Sequence, residues 1–167
     1  MKISTRGRYA LRLMMDIAKC NREKPLQLSG ISERQGISKR YLDNIAVSLR
    51  NNMLVRSVSG KNGGYMLSRP PAEIKIGEII EAAIGPINVV ECVIDPKLCI
   101  KSEFCECRPL YNLVNQRIRE ALNEFTLADI TDKKICEDIA ASLSGAKPSP
   151  TAQNLCSSKS RGDSEKD

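Results

Sequence analysis

Gln35-Gly36-Ile37-Ser38-Lys39-Arg40-Tyr41-Leu42-Asp43-Asn44-Ile45-Ala46-Val47-Ser48-Leu49-Arg50 is the stretch on which the fold turns. Gly36 stands where a tight turn wants a left-handed residue. Ser38 is placed to cap a helix running to about Asn51. Leu42, Ile45, Ala46 and Leu49 recur at helical spacing and form its inner face. Lys39, Arg40, Asp43, Asn44, Val47 and Arg50 are left outside. Upstream, Leu28 to Arg34 reads as a short helix with Ser29 as its cap. Downstream, Met53 to Val58 reads as a strand, Ser59 to Gly64 as a hairpin tip, and Tyr65 to Leu67 as the returning strand. Arg69-Pro70-Pro71 breaks the pattern.

Further out, Thr5 to Cys20 reads as a helix with Ala10, Leu13, Met14, Ile17 and Ala18 at helical spacing and Thr5 as cap. Arg6, Arg8 and Arg12 sit on or near its first turns, where positive charge opposes the helix dipole unless a phosphate lies nearby. Ile76 to Ile84 is another amphipathic helix, stopped by Gly85-Pro86. Pro109 to about Phe125 is the longest, with Leu110, Leu113, Val114, Ile118, Ala121, Leu122 and Phe125 along one face. Thr131 to Leu143 reads as a further short helix. The order helix, helix, glycine turn, helix and hairpin is the layout of a winged helix-turn-helix. A helix matches the width of the DNA major groove, and the helix before it props it against the backbone. Gly60, Gly63 and Gly64 are expected to let the wing approach a phosphate strand closely. No Gly-Lys-Ser/Thr follows them, which argues against a nucleotide site.

Composition narrows the classes. The chain has 167 residues, 41% hydrophobic and 4% aromatic with no Trp, so its core must be aliphatic. No apolar run approaches the ~18 residues of a membrane span. The basic N-terminus is followed by no signal core, and a cytoplasmic location is expected. Residues 1–75 carry 15 Lys/Arg and 5 Asp/Glu, a local charge of +10, and residues 76–167 carry 11 and 15, or −4. A basic front half on an otherwise acidic chain fits a polyanion partner. There is no His, which removes Ser-His-Asp triads, Cys-His pairs and imidazole metal ligands, and no enzyme is expected. Seven Cys in a chain without an export signal argue against a disulfide framework. Four of them fall within sixteen residues, which points to metal or redox chemistry.

Met1-Lys2-Ile3-Ser4-Thr5-Arg6-Gly7-Arg8-Tyr9-Ala10 resembles the start of the Rrf (IscR/NsrR/CymR-type) family of transcription regulators. So do Ile37 to Ile45 with Leu49-Arg50, Leu54 to Val58 through Gly63 to Pro70, and Ile76 to Ile80. The resemblance covers roughly residues 1–140. It implies a homodimer on a pseudo-palindromic operator in double-stranded DNA, with the helix after Pro109 crossing between subunits. Packing of its apolar stripe on its own domain is the open alternative. By position, Ser38, Lys39, Tyr41 and Asp43 resemble the recognition-helix contacts. Asp43 can accept from a cytosine amino group and repel phosphate, which adds selectivity. Family members often carry the longer Glu or Gln there, so the reach at this position differs. Thr5, Arg6, Tyr9, Arg50 and Lys61 resemble phosphate or minor-groove contacts.

The cysteine spacing is Cys92-x6-Cys99-x5-Cys105-x-Cys107. Cluster-holding family members have three Cys at similar spacing, and Cys92, Cys99 and Cys105 match them. Thiolates are soft ligands, and a loop lets them converge on one inorganic core. In several members the fourth ligand is a His shortly after the third Cys, and in others a carboxylate from the partner's N-terminal helix. Here Arg108 falls where that His would be, and Arg8 lies near the carboxylate's place. Cys107 is therefore the expected fourth metal ligand, with Glu103, Glu106 or a partner group as alternatives. The implied cofactor is an iron–sulfur cluster, 2Fe–2S in preference to 4Fe–4S. Zinc and a cluster-free thiol switch remain open. Cys20 is expected in the buried core of the first helix, Cys136 on a helix, and Cys156 in the tail.

The expected fold is mainly α with a small β-hairpin wing, a winged helix-turn-helix domain plus a long dimerisation helix. Residues 1–85 form the DNA-binding domain, 86–108 the cysteine-rich cluster-binding loop, 109–143 the dimerisation and C-terminal helices, and 144–167 a disordered tail. The expected function is a homodimeric redox-sensing regulator of transcription, of the repressor type. A cluster-assembly or sulfur-metabolism protein is a further partner, and no membrane contact is expected. Cluster state would set the geometry of residues 91–108 and, through the helix that follows, the separation of two recognition helices. The rivals are a cluster-free thiol or partner-enzyme sensor of sulfur metabolism on the same fold, and a small iron–sulfur electron carrier.

Overall fold

The N-terminal apolar period becomes α1 (Thr5–Lys19), whose Ala10, Leu13, Met14 and Ile17 are sealed into the centre of the domain. This computed structural model describes residues 3–20, 24–100 and 104–144. The expected tail, with Cys156, lies outside them. Ser4 rather than Thr5 caps α1: its Oγ accepts from the Gly7 N–H at 3.2 Å. Thr5 is already the first helical residue, and its hydroxyl accepts from Arg8 Nη2 at 3.1 Å. Cys20 is the C-cap of α1 and half-buried, not in the core. The apolar period ends before it.

α2 (Leu28–Gln35) starts one residue before Ser29, which therefore does not cap it. Gly36, at φ 64° and ψ 32°, closes it in the left-handed conformation that glycine adopts without steric cost. Ser32 Oγ donates to the Ile37 carbonyl at 2.6 Å and staples the turn. α3 (Lys39–Asn51) follows, with Ser38 Oγ accepting from the Tyr41 N–H at 3.4 Å. Leu42, Ile45, Ala46 and Leu49 are its buried face, as the spacing predicts. One ion pair ties α2 to α1. Buried Asp16 accepts from Arg34 Nη2 at 2.9 Å and Nε at 3.1 Å, and this bond raises the guanidinium pKa.

β1 (Val55–Val58) and β2 (Gly64–Leu67) form the antiparallel wing, with Val55 opposite Leu67 and Val58 opposite Gly64. The α1–α2 connection joins it as a third edge. Leu26 and Tyr65 exchange N–H···O bonds, both at 2.9 Å. α4 (Ile76–Ile84) packs lengthwise on α1 and against α3. The core is aliphatic throughout, from Leu13 and Ile31 to Leu54, Ile79 and Leu127.

α5 (Arg108–Glu124) is the longest helix. Its apolar stripe divides in two. Ile118, Leu122 and the following Phe125 pack on the core, whereas Leu110, Leu113 and Val114 are 58%, 51% and 38% exposed. The core lies only under the C-terminal half of the helix. There the chain doubles back: Ile76 N–H donates to Phe125 O at 3.1 Å and Leu127 N–H to Ile74 O at 2.8 Å. The expected helix from Thr131 to Leu143 is α7 (Lys133–Ser144), and a short α6 (Leu127–Thr131), not foreseen from the sequence, precedes it across Asp132. Thr126 and Asp129 form a reciprocal capping box on α6. The Thr126 backbone N–H, and then its hydroxyl, hold the Asp129 carboxyl below its ordinary pKa. No described helix is long and apolar enough to cross a membrane.

Candidate nucleic-acid interface and cysteine loop

α3 presents Lys39, Arg40, Asp43, Asn44, Val47 and Arg50 outward, with Ser38 exposed at its start. β1 packs against α3, so the wing cations Arg56 and Lys61, both exposed, extend this basic surface. The wing is positioned internally. A Cβ on Gly64 would sit 2.5 Å from the Leu26 carbonyl oxygen, and one on Gly63 would strike the Val58 carbonyl. These two glycines therefore have an intramolecular reason independent of any phosphate: the tight hairpin backbone at Gly63 and the close approach of wing to connection at Gly64.

Tyr41 is half-buried. Its ring meets Tyr9 edge to face, with centroids 5.7 Å apart and planes at 86°. The Arg12 guanidinium lies 5.8 Å from the Tyr9 centroid. Such a stack holds Tyr41 in one orientation at the start of α3. Arg6 is tied to α3. Its Nη2 donates to Ser48 Oγ at 2.7 Å and to the Asn44 carbonyl at 3.4 Å, both on α3. Thr5 is exposed at the start of α1. Sequence reading found both tyrosines and Arg6 but missed their partnership with each other, with Arg12 and with Ser48. Arg12 stands only three residues from Tyr9 on the same helix, but nothing local marks the Tyr9–Tyr41 and Arg6–Ser48 contacts, which span 32 and 42 residues of chain.

Among the described residues, the cysteine loop contains two 3₁₀ turns, Glu91–Val93 and Pro96–Leu98, packed on each other, the first also touching α5. Cys92 lies in the first turn, and Cys99 closes the second by donating its N–H to Pro96 O at 3.3 Å. Cys107 is the N-cap of α5, and Arg108 N–H donates to Cys105 O at 3.1 Å. All four are free thiols. Cys92, Cys99 and Cys105 are partly buried and Cys107 is exposed. Glu106 is exposed beside them, and Glu103 lies outside the described residues. Cys136, exposed on α7, donates to Ile130 O at 3.3 Å.

By donor chemistry this loop fits an iron–sulfur cluster: four unpaired soft ligands, with apolar Ile94, Leu98 and Phe104 exposed around them. Among the described residues, two buried polar atoms on α5 lack partners, Nε of Arg108, the residue that follows Cys107, and Asn115 Oδ1 two turns on. An orphaned guanidinium N–H is a suitable neighbour for an anionic group. The thiols are not gathered, however. Among the described residues, no three Cys, Asp or Glu side chains approach closely enough to hold a metal ion.

The Rrf2 family, described as "Iron-dependent Transcriptional regulator", matches residues 3–133. The HTH-type transcriptional regulator IscR of Pectobacterium carotovorum is 36% identical over 84% of this chain and 85% of its own length. Among solved structures, T. potens IscR superposes with a TM-score of 0.64 at 33% identity, covering 89% of this chain and 94% of that one. CymR, the global cysteine regulator of B. subtilis, superposes with a TM-score of 0.64 at 36% identity, covering 78% and 96%. With its winged helix-turn-helix, its long α5 and a family match spanning most of its length, the chain belongs to the Rrf2 family of DNA-binding transcriptional regulators.

Proposed function

We propose that the chain is a homodimeric regulator that reads operator DNA with α3 and the wing and senses iron–sulfur or redox status through Cys92, Cys99, Cys105 and Cys107. The observation that carries the sensing half is four free thiols within sixteen residues, opening directly onto the first turn of α5. Ser38, Lys39, Tyr41 and Asp43 are the base-reading candidates. Thr5, Tyr9, Arg50 and Lys61 are the backbone candidates. The exposed Leu110, Leu113 and Val114 supply an apolar strip that a second α5 would cover.

The four thiolates would hold an iron–sulfur cluster, which when bound supplies a centre sensitive to oxidants and iron supply. The rest is done by the chain. The described parts of the loop, residues 91–100 and 104–107, would close or open around the thiols. Cys107 transmits that state to α5 because it caps the helix. α5 is fixed at its far end to α4 by the Arg119–Glu81 ion pair at 3.4 Å and by the return strand at Thr126. α4 packs on α3, so a tilt of α5 changes how α3 is presented.

A cluster-free reading, in which the thiols or a partner enzyme report on sulfur metabolism, is favoured by one observation: the thiols are spread along the loop. The deciding measurement is iron and acid-labile sulfide per chain after anaerobic purification, with the visible spectrum. Matched iron and sulfide are expected. A colourless protein that also resists reconstitution would transfer the sensing role to the thiols alone.

A further inference from the structure

Beyond the aliphatic core they share, α1 meets the recognition helix at two further points that are polar or aromatic. At the start of α3, Tyr41 leans on Tyr9, which carries Arg12. Two turns later, Arg6 Nη2 reaches across to Ser48 Oγ at 2.7 Å. Ser48 Oγ in turn donates to the Asn44 carbonyl at 3.4 Å, the same oxygen that Arg6 reaches. The Arg6 Nε is sealed from solvent. A guanidinium with one nitrogen buried and another bonded to α3 is committed to that helix.

We propose that Arg6 and Ser48 are positioning residues for sequence recognition. Together they lock the rotation of α3 about its own axis, so that Tyr41 and Asp43 meet base edges in register. This rests on the reading that α3 enters the groove. The physical reason is tolerance. A base-edge hydrogen bond fails beyond a few tenths of an ångström or a modest angular error. A cation near a phosphate, by contrast, keeps most of its attraction as it shifts, because counterion release depends on charge rather than on alignment. A helix free to roll would therefore lose specific binding and keep non-specific binding.

The test separates a brace from a phosphate contact because Ser48 carries no charge. A duplex selected from a random pool by the wild-type protein serves as the specific probe, and a shuffled duplex of the same composition as the non-specific one. Arg6→Gln and Ser48→Ala are each expected to weaken specific binding about five- to tenfold while changing shuffled-duplex binding less than twofold. The double variant should lose no more than either single one, and Ser48→Thr, which keeps the hydroxyl, should restore specific binding. The salt slope of Ser48→Ala should equal that of the wild type. A different result overturns the brace: Arg6→Gln weakening both duplexes and lowering the salt slope by about one, with Ser48→Ala silent. Tyr41→Ala guards the underlying reading. If it leaves the preference for the selected duplex intact, α3 is not the reading helix and the proposal falls with it. If it abolishes the preference while Ser48→Ala is silent, the brace alone fails.

Discussion

Replacing Gly64 by Ala tests whether the wing is held by the chain itself. The backbone at Gly64 is compatible with an L side chain, so the effect is steric alone. The new Cβ would lie 2.5 Å from the Leu26 oxygen, 2.6 Å from its carbon and 3.0 Å from the Gln27 nitrogen. A carbon–oxygen contact is comfortable at about 3.3 Å or more, so the 24–27 connection must retreat by about 0.8 Å. That carries the two Leu26–Tyr65 bonds from 2.9 Å past hydrogen-bonding range. Each contributes about 0.5–1.5 kcal/mol net, so the expected loss is about 2 kcal/mol. Urea unfolding measures it, and amide exchange at Leu26 and Tyr65 localises it. Gly60→Ala is the contrast: at φ 116° with nothing within 4 Å, it strains the backbone but should leave those two amides protected. If Gly64→Ala unfolds at the wild-type midpoint with both amides as protected as before, the connection does not anchor the wing.

Leu127→Ala removes a fully buried side chain where the chain returns from α5 to the core, and thermal unfolding should register a loss of about 2–5 kcal/mol. Asp129→Asn tests the capping box through pH. A carboxyl with a lowered folded pKa stabilises above its unfolded value of ~3.9, and that stability disappears as pH falls through the lower folded value. The variant should therefore be less stable than wild type at pH 7, with the gap starting to narrow near the unfolded value of ~3.9 and closing as pH falls through the lower folded one. Arg50→Ala, which removes an exposed cation at the end of α3, should weaken binding to all duplexes alike and lower the salt slope by about one per protomer. An unchanged slope in a salt titration would remove Arg50 from the phosphate-facing set.

Elements set by their own apolar period were legible in the sequence. Leu42, Ile45, Ala46 and Leu49 predicted a buried face on α3, and all four are buried. Gly36 predicted a left-handed turn and adopts one. What failed to read was whatever depends on the surface lying opposite. The α5 stripe looks continuous from Leu110 to Phe125, yet only Ile118, Leu122 and Phe125 have core beneath them. On the same helix, polar Asn115 is 6% exposed. Periodicity states which side chains share a face, not how far the neighbouring layer extends. Cys20 is the same case at a helix end.

Charge was legible in amount but not in assignment. The basic front half argues for a polyanion, and the family match agrees. Yet part of that charge is engaged internally: Arg34 on Asp16, Arg69 on Glu78 at 2.6 Å, and Arg6 on Ser48. The sequence cannot separate these from Lys39, Arg40, Arg50, Arg56 and Lys61, because each arginine is locally equivalent and its partner lies 9 to 42 residues away. The cationic surface free to meet DNA is therefore narrower than the composition implies, and in the proposed reading it centres on α3 and the wing, with the start of α1 beside them. An even coat of cations would bind any duplex almost equally. A strip centred on one helix and one hairpin would attract DNA and orient it, leaving the proposed base-reading side chains of α3 to determine which sequence is held.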